Sequence, residues 1–298
     1  MEVFCSTIIP TINRSTLSRA VQSVLDQSSQ EFDLEVIVVN DSGQPLPDAG
    51  WQHCDQVRVI NTNRRERSVA RNTGAAIAHG KYLHFLDDDD WLLPDAIKAL
   101  RALDQISDAV WLYGSYQTVD NEGNIIQKIH PERKGNIFAL LVAGHGIPLQ
   151  ASLIEAKAFF AAGGFDPMIT GVEDRDLGRR LALIGDIAHS PHVVASIRIG
   201  EQGSTTDWGR LAEDDRRGRE KALSAPSSYT RLRTSAYSDY WRGRVSRAYF
   251  ASSVWNLKRL NILTAVSRGI AGLVFAGSHA IRPNFWLGLR ESDYENRD

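Results

Sequence analysis

Short, unbroken apolar runs alternate with helically spaced apolar positions in the N-terminal part of the chain. The runs are rich in β-branched residues, as is typical of buried strands; they are Val3–Pro10, Leu34–Asn40, Val57–Asn61 and Tyr82–Leu86. Two segments have the spacing of amphipathic helices, one capped by Ser15 and running to about Gln27 and one from Ser68 to His79. This order predicts an α/β fold with a mostly parallel central sheet, whose first half resembles a nucleotide-binding unit.

Strand and helix patterns continue through the middle of the chain. A helix is predicted from Pro94 to about Leu103, and Asn121–Gly123 is typical of a hairpin turn. The other predicted elements are strands at Ala109–Val119, at Ile125–Ile129 and within Ile187–Ile199, and a helix at Asp174–Ile184.

The charge changes sign along the chain. The 298 residues carry a formal net charge of −2, but from Arg216 to Arg290 there are 14 Lys and Arg against Glu220 and Asp239. That stretch has an excess of 12 positive charges, so the remainder carries −14. We therefore predict an α/β domain over residues 1–209, divided at residue 92, and a basic helical C-terminal extension over 210–298.

The apolar stretches and the cysteines point to a cytoplasmic protein. No signal-peptide pattern follows Met1, and the longest apolar stretch, Gly269–Ile281, is bounded by Arg268 and Arg282. That stretch is shorter than the about 20 residues that a membrane-spanning helix needs. The two cysteines have neither metal-ligand nor redox spacing and predict no disulfide framework.

Four consecutive acids, Asp87–Asp90, follow the last buried strand of the N-terminal part. Ligands of open α/β sheets bind at the carboxyl ends of the strands, where these acids would lie. Adjacent carboxylates repel one another, and Mg²⁺ or Mn²⁺ prefers oxygen ligands, so a divalent cation is one explanation. A solvated acidic turn before a helix is the other.

Six short motifs occur in the order found in one enzyme family. They are Thr7–Arg14, Val38–Gly43, Ala70–Gly74, Leu86–Asp90, Gly163–Asp166 and Glu173–Leu177. Together they resemble the motifs of family 2 glycosyltransferases over about residues 3–205. The resemblance implies the A-type glycosyltransferase fold of nucleotide-diphospho-sugar transferases, dependence on Mn²⁺ or Mg²⁺, a nucleoside-diphosphate sugar donor and inversion at the anomeric carbon.

The resemblance also implies roles for individual residues. Asp89 and Asp87 are the expected metal ligands, although the run of acids leaves the register open to Asp88. The residues expected to bind the donor are Thr7, Pro10, Thr11, Asn13, Asp41, Arg71, Asp87 and Asp88. Many relatives supply a later histidine, but Ser196–Ser204 contains none, which leaves His189 and His192 as candidates for a third ligand.

Sugar transfer also needs a base that removes the proton of the attacking hydroxyl. Asp174 is the expected catalytic base, with Glu173 as the alternative, because the pair opens a helix whose N-terminus favours ionised carboxylates. Gly171 just before the pair allows close approach of a sugar. Without the other motifs, the same pair would be interpreted as helix-capping acids.

The predicted function is transfer of a sugar from a UDP- or dTDP-sugar to a hydroxyl of a glycan or lipid-linked glycan. A nucleotidyltransferase and a non-catalytic nucleotide- or carbohydrate-binding module are the alternatives. The basic extension fits peripheral contact with an anionic membrane on its cytoplasmic face, a homo-oligomer contact, or a phosphate-bearing acceptor. Nucleic acid is not an expected partner, since most of the chain is acidic and no nucleic-acid motif occurs.

Overall fold

The computed structural model describes residues 3–200 and 208–290. The described residues form two compact units, the first within Met1–Gly135 and Gly146–Glu220 and the second within Asn136–His145 and Lys221–Asp298. The predicted boundary between residues 209 and 210 stays a prediction, because it adjoins the stretch outside the described residues.

The first unit is built on one mixed sheet of nine strands. The strands are β1 (Val3–Thr11), β2 (Asp33–Asn40), β3 (Val57–Asn61), β4 (Tyr82–Phe85), β5 (Trp91–Leu92), β6 (Trp111–Val119), β7 (Ile125–Ile129), β8 (Ser152–Glu155) and β9 (Ile187–Arg198). Their order is β3-β2-β1-β4-β8-β6-β9-β5, with β7 paired to β6. The strands β3-β2-β1-β4 are parallel, and β4 joins the second half of the sheet through the antiparallel strand β8.

Eleven α-helices are described in the two units. They are α1 (Leu17–Leu25), α2 (Arg67–Ala76), α3 (Ala96–Asp104), α4 (Phe138–Val142), α5 (Ala156–Ala161), α6 (Glu173–Ile184), α7 (Trp208–Leu223), α8 (Ser228–Thr234), α9 (Ser238–Lys258), α10 (Ile262–Ala276) and α11 (Pro283–Arg290). Helices α4 and α8–α11 belong to the second unit. The first helix is capped by Thr16 and not by Ser15, and no side chain hydrogen-bonds its N-terminus.

The sheet explains why the first strands are apolar without alternation. All residues from Val36 to Val39 in β2 are fully buried, as expected of a parallel strand with both faces covered. Strands β1, β2 and β4 run in one direction, with Thr11 beside Asn40 and Ile8 beside Phe85. Their carboxyl ends therefore bring the segments after Asn40 and Phe85 to the same edge of the sheet.

The second unit contains a longer apolar segment than Gly269–Ile281. Ile262–Ile281 extends over 20 residues, most of them exposed, and by length and composition alone it could cross a membrane. It contains Arg268, so the expectation that no uncharged apolar stretch of about 20 residues occurs is not contradicted.

Glycine 80 is required where the chain enters β4. A Cβ atom at Gly80 would lie 2.5 Å from the backbone nitrogen of Ser6 and 2.7 Å from its Oγ. We expect Gly80→Ala to lower the free energy of unfolding by about 1 to 3 kcal/mol, because backbone in β1 must shift. Urea denaturation measures this change.

Gly50→Ala is the matched control for this substitution, because a Cβ atom there meets nothing within 4 Å. Its free energy of unfolding should stay within about 0.5 kcal/mol of wild type. Equal stability of the two variants would contradict the close approach of Gly80 to Ser6.

Candidate active site

The four acids leave β4 at the carboxyl edge of the sheet and alternate in exposure. Asp88 and Asp90 are each 2% exposed, whereas Asp87 and Asp89 are partly exposed. The run forms a turn in which the backbone N–H of Asp90 donates to the carbonyl oxygen of Asp87 at 3.1 Å. The four carboxylates therefore have different environments.

Asp88 is held by the turn that follows β1. The Thr11 hydroxyl donates to one of its oxygens at 2.6 Å, and Arg14 donates to the other at 2.7 Å. Arg14 also contacts Asp89 at 3.0 Å. The turn contains Asn13 with a φ of 70°, a left-handed conformation that asparagine adopts more readily than most residues.

Arg71 connects the acid run to α6. Its guanidinium group donates to Asp87 at 2.6 Å and to Glu173 at 3.1 Å, and the residue is 3% exposed. Glu173 also pairs with Arg67 at 3.4 Å. Burial alone would raise the pKa of the Asp87 carboxyl, but the charge and hydrogen bond of Arg71 hold that pKa below its ordinary value.

A buried chain of hydrogen bonds supports Asp87 from the core. Gln150 donates from its side chain to Asp87 at 3.0 Å, and its backbone carbonyl oxygen lies 3.0 Å from Nε2 of His84. Nδ1 of His84 lies 3.1 Å from the Thr7 hydroxyl. Thr7 is fully buried, so the structure places this predicted donor-binding residue in the core, behind Asp87.

Three of the acids have an arrangement that suits a divalent cation. Asp87, Asp89 and Asp90 each offer a carboxylate oxygen, and these oxygens lie within 4.8 Å of one another. Burial raises the pKa of Asp89, and burial together with the charge of Asp87 raises the pKa of Asp90 well above its ordinary value. The three carboxylates repel one another, and this repulsion is not fully offset. A Mg²⁺ or Mn²⁺ ion, which prefers oxygen ligands, would offset it. Asp90 is a member of this group that was not predicted.

The two candidate histidines have other contacts. His189 lies 3.3 Å from the Ser115 hydroxyl, and His192 lies 3.0 Å from the carbonyl oxygen of Pro94. Neither belongs to the group of ligand atoms formed by Asp87, Asp89 and Asp90 in the described part of the chain. Residues 201–204 of the segment that matches the relatives' histidine lie outside the described residues.

Asp41 organises the loop that leads into α2. Its carboxylate accepts hydrogen bonds from the Thr62 hydroxyl at 2.7 Å and from the backbone N–H groups of Arg64 and Glu66 at 2.6 Å each. Glu66 in turn caps α2 by accepting from the N–H groups of Ser68 and Val69. A carboxylate accepts about four hydrogen bonds, so room for one more remains.

Asp174 and Glu173 differ in accessibility at the start of α6. Glu173 is 3% exposed and pairs with arginines, whereas Asp174 is partly exposed. Within the described residues, the hydrogen bond that Asp174 accepts comes from the adjacent Arg175 N–H at 2.7 Å. Pro10, also predicted to contact the donor, is partly exposed near the end of β1.

The sequence of this chain is similar to a known protein family. A model described as glycosyl transferase family 2 matches residues 6–158, about half of the chain. The chain belongs to glycosyl transferase family 2. The predicted family and the predicted enzyme class, glycosyltransferase, are confirmed by this match.

Several family members are similar over part of their length. TarP of Staphylococcus aureus, a poly(ribitol-phosphate) beta-N-acetylglucosaminyltransferase, is 29% identical over 52% of this chain and 46% of TarP. An uncharacterized glycosyltransferase of Haemophilus influenzae is 29% identical over 63% of this chain and 65% of that protein. Together with similar Rickettsia glycosyltransferases, these relatives are covered over only 25% to 65% of their own length.

A solved glycosyltransferase structure has the same fold. Residues 1–349 of S. aureus TarS in complex with UDP-GlcNAc superpose with a TM-score of 0.62 at 14% identity. The superposition covers 96% of this chain and 92% of that one. The predicted family fold, with its C-terminal helices, is therefore confirmed.

Some residues in or around the four acids were not predicted from the sequence. Arg14 lies within the first motif, and Asp90 lies within the acid run, so both could have been selected by position. Gln150 and His84 carry no such signal. Gln150 reaches Asp87 only because the antiparallel strand β8 pairs with β4.

His84 should make stability depend on pH. Burial lowers its pKa to about 4 from 6.5, so the folded protein keeps it neutral while the unfolded chain binds a proton. The neutral histidine therefore contributes fully to stability at pH values above its unfolded-state pKa of 6.5. This contribution is lost as the pH falls from about 6.5 to 4. We expect a loss of about 2 to 3 kcal/mol from this residue over that range.

Urea denaturation of wild type and His84→Asn at a series of pH values measures this contribution. The variant should be less stable at neutral pH and should lose less stability on acidification than wild type does. Parallel curves for the two proteins would contradict the buried, neutral histidine.

Proposed function

We propose that the protein is an inverting, metal-dependent glycosyltransferase that moves a sugar from a UDP- or dTDP-sugar to a hydroxyl of a glycan or lipid-linked glycan. One observation carries this proposal. The guanidinium group of Arg71 contacts both Asp87 and Glu173, at 2.6 and 3.1 Å. The acids proposed for the donor and metal therefore lie close to the start of α6, where Asp174 is partly exposed.

The donor would bind at the carboxyl edge of the parallel strands. Thr11, Asn13 and Asp88 form one hydrogen-bonded turn there, and Asp41 retains an acceptor position for a base or ribose. A buried Nε atom of Arg71 finds no acceptor among the described residues, so Arg71 has a donor left for an anionic ligand. The TarS structure with UDP-GlcNAc supports this class of donor for a related fold.

The metal ion, Mn²⁺ or Mg²⁺, would be held by Asp89 and Asp87, with Asp90 as an added ligand. When bound, it would neutralise charge that develops on the departing diphosphate. Arg14 would change partner when a cation occupies the site, because it now pairs with Asp89 at 3.0 Å. Its guanidinium group, 47% exposed, could then contact the diphosphate.

Asp174 is the proposed base. Its carboxylate would take the proton of the acceptor hydroxyl as that oxygen bonds to the anomeric carbon and the bond to the nucleoside diphosphate breaks. Attack from the face opposite the leaving group inverts the configuration. Glu173 suits this role less well because Arg71 and Arg67 both contact its Oε1. Glu173 instead orients Arg71.

The relatives support a glycan acceptor. TarP is named for transfer to poly(ribitol-phosphate), and another relative, a chondroitin synthase of Escherichia coli, is 27% identical over 62% of this chain and 27% of that protein. A nucleotidyltransferase fits less well, since Pro10–Leu17 contains neither Gly nor Lys for a phosphate loop. Release of free UDP or dTDP, of pyrophosphate or of neither separates a glycosyltransferase, a nucleotidyltransferase and a binding module.

Asp174→Asn removes the carboxylate that would accept the proton and keeps the shape of the side chain. We expect sugar transfer to fall by about 10²- to 10⁴-fold, because an amide cannot take the proton. Nucleotide release assays with a polymeric glycan acceptor measure the rate, and isothermal titration with UDP measures nucleotide binding, which should change little.

Asp108→Asn, an exposed acid elsewhere on the first unit, is the control and should keep full activity. A fully active Asp174→Asn variant would contradict the proposed base. Loss of UDP binding together with activity would show a structural role for Asp174.

The metal site can be tested without turnover. We expect Asp89→Asn to weaken Mn²⁺ binding by roughly tenfold or more, because it removes a charged ligand. Arg14→Met should strengthen Mn²⁺ binding, since the arginine competes for the same carboxylate. Paramagnetic resonance of free Mn²⁺ measures both effects.

Asp55→Asn, an exposed acid distant in sequence, should bind Mn²⁺ like wild type. Unchanged Mn²⁺ affinity in Asp89→Asn would contradict the ligand role of Asp89. Weaker binding in Arg14→Met would show that Arg14 supports the site and does not compete with the cation.

A further inference from the structure

Helix α10 of the second unit buries small residues and exposes large apolar ones. Within the described residues, α10 buries Ala265, Gly272 and Ala276. The exposed residues of α10 and the segments beside it include Leu260 (83%), Leu263 (89%), Leu273 (66%), Val274 (71%) and Ile281 (86%). Helices of water-soluble bundles bury their large apolar residues, so α10 has the opposite arrangement.

Glycines let the backbones of α9 and α11 approach closely. A Cβ atom at Gly243 would lie 2.0 Å from the carbonyl oxygen of Phe285, and one at Gly288 would lie 2.1 Å from that of Tyr240. Helices in lipid pack through such small residues, because large apolar side chains gain nothing by leaving an apolar solvent. The close packing of α9 and α11 through glycines is therefore typical of helices whose outer surface contacts hydrocarbon.

The exposed apolar residues of α10 lie on one face. Ile262, Val266, Ile270 and Leu273 are spaced by four, four and three residues and are all more than half exposed. At about 100° per residue, Arg268 lies roughly opposite the centre of this face. A helix with one apolar face and a charged opposite face is suited to lie in the plane of a membrane surface.

The charge of the unit identifies the kind of surface. Between Lys221 and Arg290 there are 11 Lys and Arg, and Asp239 is the single acid. That acid is already paired with His279 at 2.6 Å and with Arg282 at 3.4 Å. The resulting positive charge favours anionic lipid, whereas a second copy would bring two positive faces together.

We propose that α10, with the neighbouring apolar ends of α9 and α11, inserts in the plane of an anionic membrane surface. We call the exposed apolar residues Val254, Leu260, Leu263, Leu273, Val274 and Leu287 together the apolar face. The α-helical part of Ile262–Ile281 is α10, which has 15 residues and is about 22 Å long, shorter than the hydrocarbon core of about 30 Å. The last five residues form a 3-10 segment that begins at Gly277 with a φ of 44°. The antiparallel α9 would also carry Arg242, Arg244 and Arg247 into that core if α10 spanned it.

Vesicle flotation of the full-length protein tests this inference. Wild type should bind vesicles of phosphatidylcholine with phosphatidylglycerol and should bind vesicles of phosphatidylcholine alone more weakly. The double variant Leu263→Gln/Leu273→Gln should lose roughly tenfold or more of its binding, because it removes apolar contacts with the acyl chains. Added salt should weaken binding of wild type to the anionic vesicles.

Ile106→Gln is the matched control, because Ile106 is 80% exposed but lies in the first unit. It should bind vesicles like wild type. The test needs neither donor nor metal, so its failure and failure of the proposed function are distinguishable.

Absence of vesicle binding by wild type would overturn the inference, as would equal loss in Ile106→Gln. Resistance to extraction with alkaline carbonate would show a spanning helix and overturn the in-plane geometry. A wild-type dimer in light scattering that the double variant dissociates would overturn the inference and assign the apolar face to a second copy.

Discussion

The buried guanidinium group of Arg71 is the interaction on which the candidate site depends. It is 3% exposed and pairs with two carboxylates that lie 86 residues apart in the sequence, Asp87 and Glu173. A buried charge is tolerated only when it is paired and hydrogen-bonded, so α2, the end of β4 and the start of α6 must assemble together. The same contact brings Asp174 near the acid run.

The mutual repulsion of the four carboxylates is offset by different partners at each position. Asp87 has Arg71 and Gln150, and Asp88 has Arg14 and the Thr11 hydroxyl. The raised pKa of Asp90 favours its neutral form, and it accepts the backbone N–H of Arg198. Asp89 has only a share of Arg14 and a raised pKa, so it gains most from a cation. This difference in partners among the four acids supports Asp89 as the principal metal ligand.

The sequence predicted the elements well and the contacts poorly. The apolar runs predicted β1–β4 almost to the residue, because strands buried on both faces are mostly apolar. The order of the motifs predicted the family, and it selected Asp87 and the pair Glu173–Asp174 as site residues. It could not show that Thr7 faces the core or that Asp41 holds its own loop, because side-chain direction and loop closure depend on neighbours distant in sequence.

Helix α10 follows a different burial rule from the sheet of the first unit. In that sheet, the apolar runs of β1, β2 and β4 form the core. In α10, Ala265 and Gly272 are buried while Leu263 and Leu273 are exposed. Such a pattern is stable only where water does not surround the apolar side chains. The exposed apolar residues of α10 therefore reflect the environment that we infer for this helix, the apolar layer of a membrane surface.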